Sequence, residues 1–131
     1  MHVLQTALNT TEFDLSIESG LAYYKRHLFE VDGTAKYYNT SKYPLDMHNV
    51  SQAIFTLLKV GGTKYDFELV EKIINQSIET LYMPKQGRFV YQKNKYFTNK
   101  INYIRWTQAW VYYSFAYFNR YCTTVGTSIS K

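Results

Sequence analysis

Apolar side chains recur every three to four residues in four stretches of the chain, which is the spacing of one face of an α-helix. In the first and third stretches, charged residues occupy the opposite face, as in helices that lie on the outside of a domain. The fourth stretch has almost no polar face, so we expect a buried inner helix there. The predicted helices run from a cap at Thr10 or Thr11 to about Phe29, from Met47 to Lys59, from Phe67 to Tyr82, and from Ile104 to Tyr121.

Between these helices, short stretches that alternate in polarity and are rich in turn residues predict strands and hairpins. Residues 34–38 are one strand candidate. Residues 86–91 and 96–98 are predicted to pair as a hairpin around a turn at 92–95. The sequence therefore predicts a mainly α protein with short β-hairpins between its helices.

Residues that start and stop helices set the boundaries of these elements. Asp46 and Asp66 precede the second and third helices and are predicted to be their N-caps, because a carboxylate accepts the free N–H groups of a first helical turn. The glycines at positions 61–62 and Pro84 are predicted to end the same two helices. The polar tail at 123–131 is predicted to be frayed.

The chain also repeats itself. Each unit has an outer helix, a glycine (Gly33 or Gly87), an aromatic hairpin and an inner helix that carries a glutamine (Gln52 or Gln108). A glutamine on an apolar helix must find partners for its amide, either in the neighbouring loop or in a ligand hydroxyl. We interpret residues 1–131 as one partial domain, with repeat one at about 11–60 and repeat two at about 66–122.

Charge is divided unevenly along the chain. Residues 1–79 hold ten acidic and seven basic residues, a net charge of −3, whereas residues 80–131 hold eight basic and no acidic residues, a net charge of +8. Such a positive field attracts anionic partners, and a uronate, a phosphate or a nucleic acid would all qualify. A solvated basic loop with no partner is the alternative.

Polar and aromatic residues gather at the two inner-helix entrances, which we expect to line one cavity. Asp46 and His48 are two positions apart and can act as a catalytic acid/base pair, or as an N-cap and a wall residue. Arg105 and Trp106 can fork onto a carboxylate and stack on a sugar face, or form a cation–π or capping pair. The residues predicted to bind substrate are Tyr43, Gln52, Arg88, Arg105, Trp106, Gln108 and Trp110.

Six motifs carry a resemblance to a known family. They are Lys36-Tyr-Tyr38, Tyr43-Pro-Leu-Asp-Met-His48, Gln52-Ala53, Gly87-Arg-Phe89, Phe97-Thr-Asn-Lys100 and Arg105-Trp-Thr-Gln-Ala-Trp110. Over residues 12–121 the chain resembles the C-terminal portion of six-hairpin, (α/α)6-toroid proteins, which are similar in fold to glycoside hydrolases, sugar epimerases and polysaccharide lyases. The likeness is to bacterial members associated with surface-polysaccharide genes. It implies two α-hairpin repeats of a toroid, with β-hairpins inserted between outer and inner helices.

Two functional hypotheses follow. The resemblance implies a carbohydrate-associated domain that binds an anionic saccharide or, with its missing parts, processes it. The alternative is a non-catalytic helical-repeat module that binds a protein or an acidic polymer, with single-stranded nucleic acid as the weaker variant. Whether the chain is an enzyme stays open, since residues 80–131 supply no second carboxylate for a glycosidase pair.

Length and composition set the remaining expectations. A six-hairpin ring needs more than about 300 residues, so we expect self-association or the remainder of a larger toroid to cover the open flanks. No membrane span is predicted, because the longest apolar-rich run is too short. The three histidines lack metal-ligand spacing, so neither a metal nor a cofactor is predicted. The single cysteine and the absence of a signal-peptide pattern lead us to expect a cytoplasmic location.

Overall fold

The computed structural model describes the backbone of residues 2–129 and the side chains of residues 2–124. The chain is mainly α-helical, as the apolar periodicity predicts. Its α-helices are α1 (His2–Leu8), α2 (Asp14–His27), α3 (Met47–Thr56), α4 (Lys64–Leu81) and α5 (Ala109–Ile129). A π-helical turn at Leu57–Gly61 extends α3, another at Ile104–Gln108 precedes α5, and a 3-10 turn occupies Pro84–Gln86. The strands are β1 (Leu45–Asp46), β2 (Tyr82–Met83), β3 (Arg88–Phe89), β4 (Gln92–Lys93) and β5 (Thr98–Asn99).

Helix α3 lies at the centre of the core and packs against both α4 and α5. Its buried side chains include Met47, Ile54 and Leu57, and α4 contributes Val70 and Ile73. Helix α2 buries no residue completely. Its predicted apolar face is half-buried, so the periodicity locates this face correctly although the helix packs loosely.

Helix α5 is not the buried inner helix that its composition predicts. Val111 and Ser114 are buried against the core, as is Thr107 in the π-helical turn before the helix, but Tyr112 and Tyr113 are 78% and 52% exposed. The described residues provide no layer over this second face, and an apolar sequence cannot by itself indicate whether such a layer exists. The helix also extends to Ile129, beyond the predicted end at Tyr121, and into the tail that was expected to be frayed. Residues 130 and 131 lie outside the description.

Within residues 2–129, no helix combines the length and the apolar character needed to cross a bilayer.

The strands pair differently from the predicted hairpin. β3 pairs antiparallel with β2, next to the end of α4. β5 pairs with β4, whose residues Gln92 and Lys93 were assigned to the turn. The stretch 34–38 forms only isolated bridges, at Ala35 and at Tyr38. A strand of two residues is too short to show an alternation of hydrophobic and polar positions, so the sequence does not specify its register.

The backbone makes the same connection at the two corners between outer and inner helices. The Lys36 N–H donates to the Leu28 carbonyl (2.9 Å), and the Val90 N–H donates to the Leu81 carbonyl (2.8 Å). Gly33 and Gly87 both adopt positive φ, +91° and +62°. The spacing found in the sequence therefore corresponds to two similar turns.

The N-terminus of α4 corrects one predicted cap. Thr63, rather than Asp66, is the N-cap, and Asp66 is the third residue of a capping box. The Thr63 hydroxyl accepts from the Asp66 N–H (3.2 Å), and the Asp66 carboxylate accepts from the Thr63 N–H (3.0 Å). The carboxylate of Asp66 is the stronger acceptor, which is why the sequence predicts it as the cap. The threonine three residues before it completes a capping box and takes the cap position instead.

Candidate functional site

A three-stranded sheet brings the entrance of α3 next to the second corner. β1 pairs antiparallel with β4, so that Asp46 lies opposite Gln92. The Met47 N–H donates to the Tyr91 carbonyl at 3.2 Å, which extends this link into the first turn of α3. Residues far apart in sequence therefore meet at one place, and the two inner-helix entrances face each other as the sequence predicts.

Asp46 is 5% exposed and both of its carboxylate oxygens are engaged. Oδ1 accepts the His48 N–H at 2.7 Å, which is the hydrogen bond of an N-cap. Oδ2 accepts the Gln92 side-chain N–H at 2.9 Å. These contacts are those of a structural cap that also joins the two corners. The catalytic role of Asp46 stays a prediction.

His48 lies between the two tryptophans of the chain. Its ring stacks on Trp106, with centroids 5.3 Å apart and an interplanar angle of 8°. It meets Trp110 edge-on at 5.1 Å. The His48 Nδ1 is buried and has no hydrogen-bond partner among the described residues. The contact between Asp46 and His48 runs through the backbone N–H, so the two side chains do not form the hydrogen-bonded acid/base pair.

Two tyrosines extend this aromatic cluster, which we define as His48, Tyr91, Tyr103, Trp106 and Trp110. Tyr91 meets Tyr103 edge-on at 5.0 Å. Burial raises the pKa of Tyr91, the negative charge of Asp46 raises it further, and a hydrogen bond with Trp106 opposes the shift. The Tyr91 hydroxyl therefore keeps its proton at neutral pH and remains a hydrogen-bond donor.

An open cleft adjoins the aromatic cluster. It has a volume of ≈ 750 Å³ and is lined by residues 102–106. Trp106, covered on one face by His48, is 55% exposed. Arg105 is exposed beside it. The π-helical turn at Ile104–Gln108 carries both side chains, and such turns recur at functional sites.

The other predicted binding residues divide into two groups. Arg88 and Gln108 bond to backbone: Arg88 Nη2 donates to the Lys100 carbonyl at 2.9 Å, and the Gln108 amide pairs with Phe89. Tyr43 is half-buried and packs against the core. Gln52 lines a different groove, between α2 and α3. The structure therefore gathers Asp46, His48, Trp106 and Trp110, and it places Arg105 at the edge of their cluster.

Sequence reasoning missed Tyr91, Gln92 and Tyr103 as members of this site. Tyr91 and Gln92 reach it through the register of β1 with β4, which no local pattern indicates. The only available signal was the density of tyrosines in this half of the chain.

Substitution of Asp46 separates the structural role from a catalytic one. We expect Asp46→Asn to lower the free energy of unfolding by less than about 1 kcal/mol, because asparagine also caps helices well, and Asp46→Ala to lower it by about 1–2 kcal/mol. Urea denaturation followed by circular dichroism measures both. A loss for Asp46→Asn as large as for Asp46→Ala would show that the charge, rather than the cap, stabilises the fold.

Comparison of the chain with protein-family models, with curated proteins and with solved structures gives no match.

Proposed function

We propose that this chain is a carbohydrate-associated portion of an α/α toroid and that it binds an anionic saccharide at the cleft beside the aromatic cluster. The observation that carries the proposal is Trp106, whose indole is fixed by His48 on one face and 55% exposed to the cleft. Aromatic side chains that are rigid and half-exposed offer an apolar surface for the C–H face of a sugar ring.

The charge of the cleft favours an acidic sugar. The Arg105 guanidinium is exposed at the rim next to Trp106. Its planar set of donors matches the two oxygens of a carboxylate. The half of the chain from residue 80 onwards contributes positive charge alone, so a uronate meets no acidic side chain from this half.

The contacts of Asp46 favour binding rather than turnover by this chain. A general acid or base must reach the reacting group, and both Asp46 oxygens already accept protein hydrogen bonds. Cleavage of a glycosidic bond ordinarily uses two carboxylates. Processing of the saccharide would therefore need groups from the remainder of a toroid or from other copies.

The toroid part of the proposal is supported by the two equivalent corners and by the uncovered face of α5. Tyr112 and Tyr113 on this face are exposed, and adjacent helical hairpins are what cover such faces in repeat proteins. The alternative is the helical-repeat module that binds a protein or an acidic polymer. The exposed aromatic face of α5 favours this alternative too, because such a partner can pack on it.

Calorimetric titration with a hexuronate tetrasaccharide, and with a neutral tetrasaccharide of the same linkage, tests the proposal. We expect the uronate to bind more tightly. Trp106→Ala should weaken binding of both saccharides by about tenfold, whereas Arg105→Gln should remove the preference for the uronate. Tyr112→Ala is the matched control, since it deletes an exposed aromatic side chain of α5 outside the cleft.

The outcomes are distinct. If neither saccharide binds, or if Trp106→Ala binds both as well as the unmodified chain does, the proposed function is wrong. Equal affinity for a sugar-free polyanion such as polyglutamate, lost in Tyr112→Ala, would favour the helical-repeat module instead. Added salt should weaken binding of the uronate alone, because screening acts on the Arg105 interaction.

A further inference from the structure

The two repeats differ at their inner-helix glutamines. In repeat two, the Gln108 side chain forms two hydrogen bonds with the backbone of the corner. Its Nε2 donates to the Phe89 carbonyl at 2.7 Å, and its Oε1 accepts the Phe89 N–H at 3.2 Å. Phe89 lies two residues after Gly87, and the corresponding residue of repeat one is Ala35, two residues after Gly33. A conserved geometry would place Gln52 on the Ala35 backbone.

Repeat one lacks the corresponding pair of hydrogen bonds. The Gln52 side-chain amide and the backbone N–H and carbonyl of Ala35 make no hydrogen bond to one another, or to any other group among the described residues. Both residues instead line a groove of ≈ 280 Å³ between α2 and α3.

The walls of this groove combine neutral polar groups with aromatic rings. One face of α3 contributes three polar side chains to the lining, those of Asn49, Gln52 and Thr56, which are three and four positions apart and so lie on the same side of the helix. Tyr24 and Phe29 line the opposite side, where their rings meet edge-on at 5.1 Å. Burial raises the pKa of Tyr24 to about 12, so its hydroxyl stays protonated and available as a donor.

The chemistry of the groove specifies its ligand. The Gln52 amide and the backbone N–H and carbonyl of Ala35 supply hydrogen-bond donors and acceptors to the lining of one groove, and each hydroxyl of a polyol can both donate and accept. The volume lies below the range typical of drug-sized ligands, which limits the occupant to about one ring. Charge contributes little, because Lys36 is the charged residue in the lining and its ammonium lies 3.9 Å from a carboxylate oxygen of Glu30.

We propose that the groove between α2 and α3 is a binding site for a single pyranose-sized polyol, held between the Gln52 amide and the Ala35 backbone. This site is separate from the cleft at Trp106 and does not depend on the function proposed there. The ligand reaches it either as a free monosaccharide or as one unit of a longer saccharide.

A titration with methyl β-D-glucopyranoside, followed by two-dimensional 1H–15N NMR, tests the site directly. We expect the Gln52 side-chain amide and the Ala35 N–H to shift together and to saturate in the millimolar range. Gln52→Leu should weaken binding by about tenfold, since it removes both side-chain hydrogen bonds.

Controls separate this site from the cleft and from a general effect on the fold. Trp106→Ala should bind the glucoside in the groove as the unmodified chain does. The proposal is overturned if neither amide shifts, if Gln52→Leu binds as tightly as the unmodified chain, or if acetamide binds the groove as tightly as the glucoside. A tetrasaccharide that binds the groove more tightly than the single ring identifies a longer saccharide as the source.

Discussion

Gly33→Ala should lower the free energy of unfolding by about 3–5 kcal/mol, whereas Gly87→Ala, at the equivalent corner, should lower it by about 1–2 kcal/mol. Both glycines have positive φ, which disfavours any residue with a Cβ. At Gly33 a Cβ would also lie 2.6 Å from the backbone carbonyl carbon of Lys72. At Gly87 it would meet nothing within 4 Å.

The difference between the two substitutions reports the contact between the first corner and α4 together with the less favourable φ of Gly33. Urea denaturation followed by circular dichroism measures it. Gly20→Ala serves as a reference in open space within α2 and should stabilise the chain by up to about 1 kcal/mol. Equal losses at Gly33 and Gly87 would mean that the corner can move away from α4.

Asp66→Ala should be the second severe substitution, with a loss of about 2–4 kcal/mol. Asp66 is fully buried. Its carboxylate accepts from the Lys25 ammonium at 2.8 Å and from the backbone and side chain of Thr63. The substitution breaks the link between α2 and α4 and the capping box together. Glu68→Gln, in an exposed pair with Lys64, is the matched control and should cost less than about 0.5 kcal/mol.

The pH dependence of stability gives a second measurement of the same residue. Burial alone would raise the pKa of Asp66, but the hydrogen bonds from Lys25 and Thr63 outweigh it, so the folded-state pKa is lowered. The contribution of Asp66 is therefore complete above the unfolded pKa of about 3.9 and is lost as the pH falls through the folded pKa. Asp66→Asn should flatten the acid side of the stability profile. An unchanged acid profile would contradict this account.

The close packing around Asp66 also explains an adjacent glycine. A Cβ at Gly61 would overlap the Asp66 carboxylate, which its hydrogen bonds hold in place. The Gly-Gly pair after α3 therefore does more than stop the helix, the role that the sequence predicts for it.

Apolar periodicity predicted the existence and approximate limits of four helices, because each of those helices buries part of one face. It did not predict α1, whose aliphatic side chains, Val3, Leu4 and Leu8, are all more than half exposed, whereas the apolar face of α2 is half-buried. It also predicted the wrong environment for α5, since the exposure of Tyr112 depends on which elements are present to cover it. Periodicity reports what a helix can bury, and the neighbours decide what it does bury.

The candidate site was predicted in part. The Asp46 cap and the meeting of the two helix entrances followed from local signals. The difference between the two glutamines did not follow from local signals. Gln108 bonds the backbone of Phe89, whereas Gln52 does not bond that of Ala35, and this depends on how each inner helix lies against a corner that is distant in the sequence. The strand pairings that deliver Tyr91 and Gln92 involve two residues each, too few for a pattern to reveal.

The sheet that joins β1 to β4 has a consequence for how the molecule unfolds. In a simple linear array each repeat contacts its neighbour through helices alone and can fray from one end. Here Asp46 of the first repeat accepts a hydrogen bond from Gln92 of the second, and α3 packs on both α4 and α5. Loss of the second repeat would uncover the core face of α3 and free the cap of that helix. We therefore expect the two halves of the chain to unfold together as one cooperative unit, although the sequence reads as two repeats.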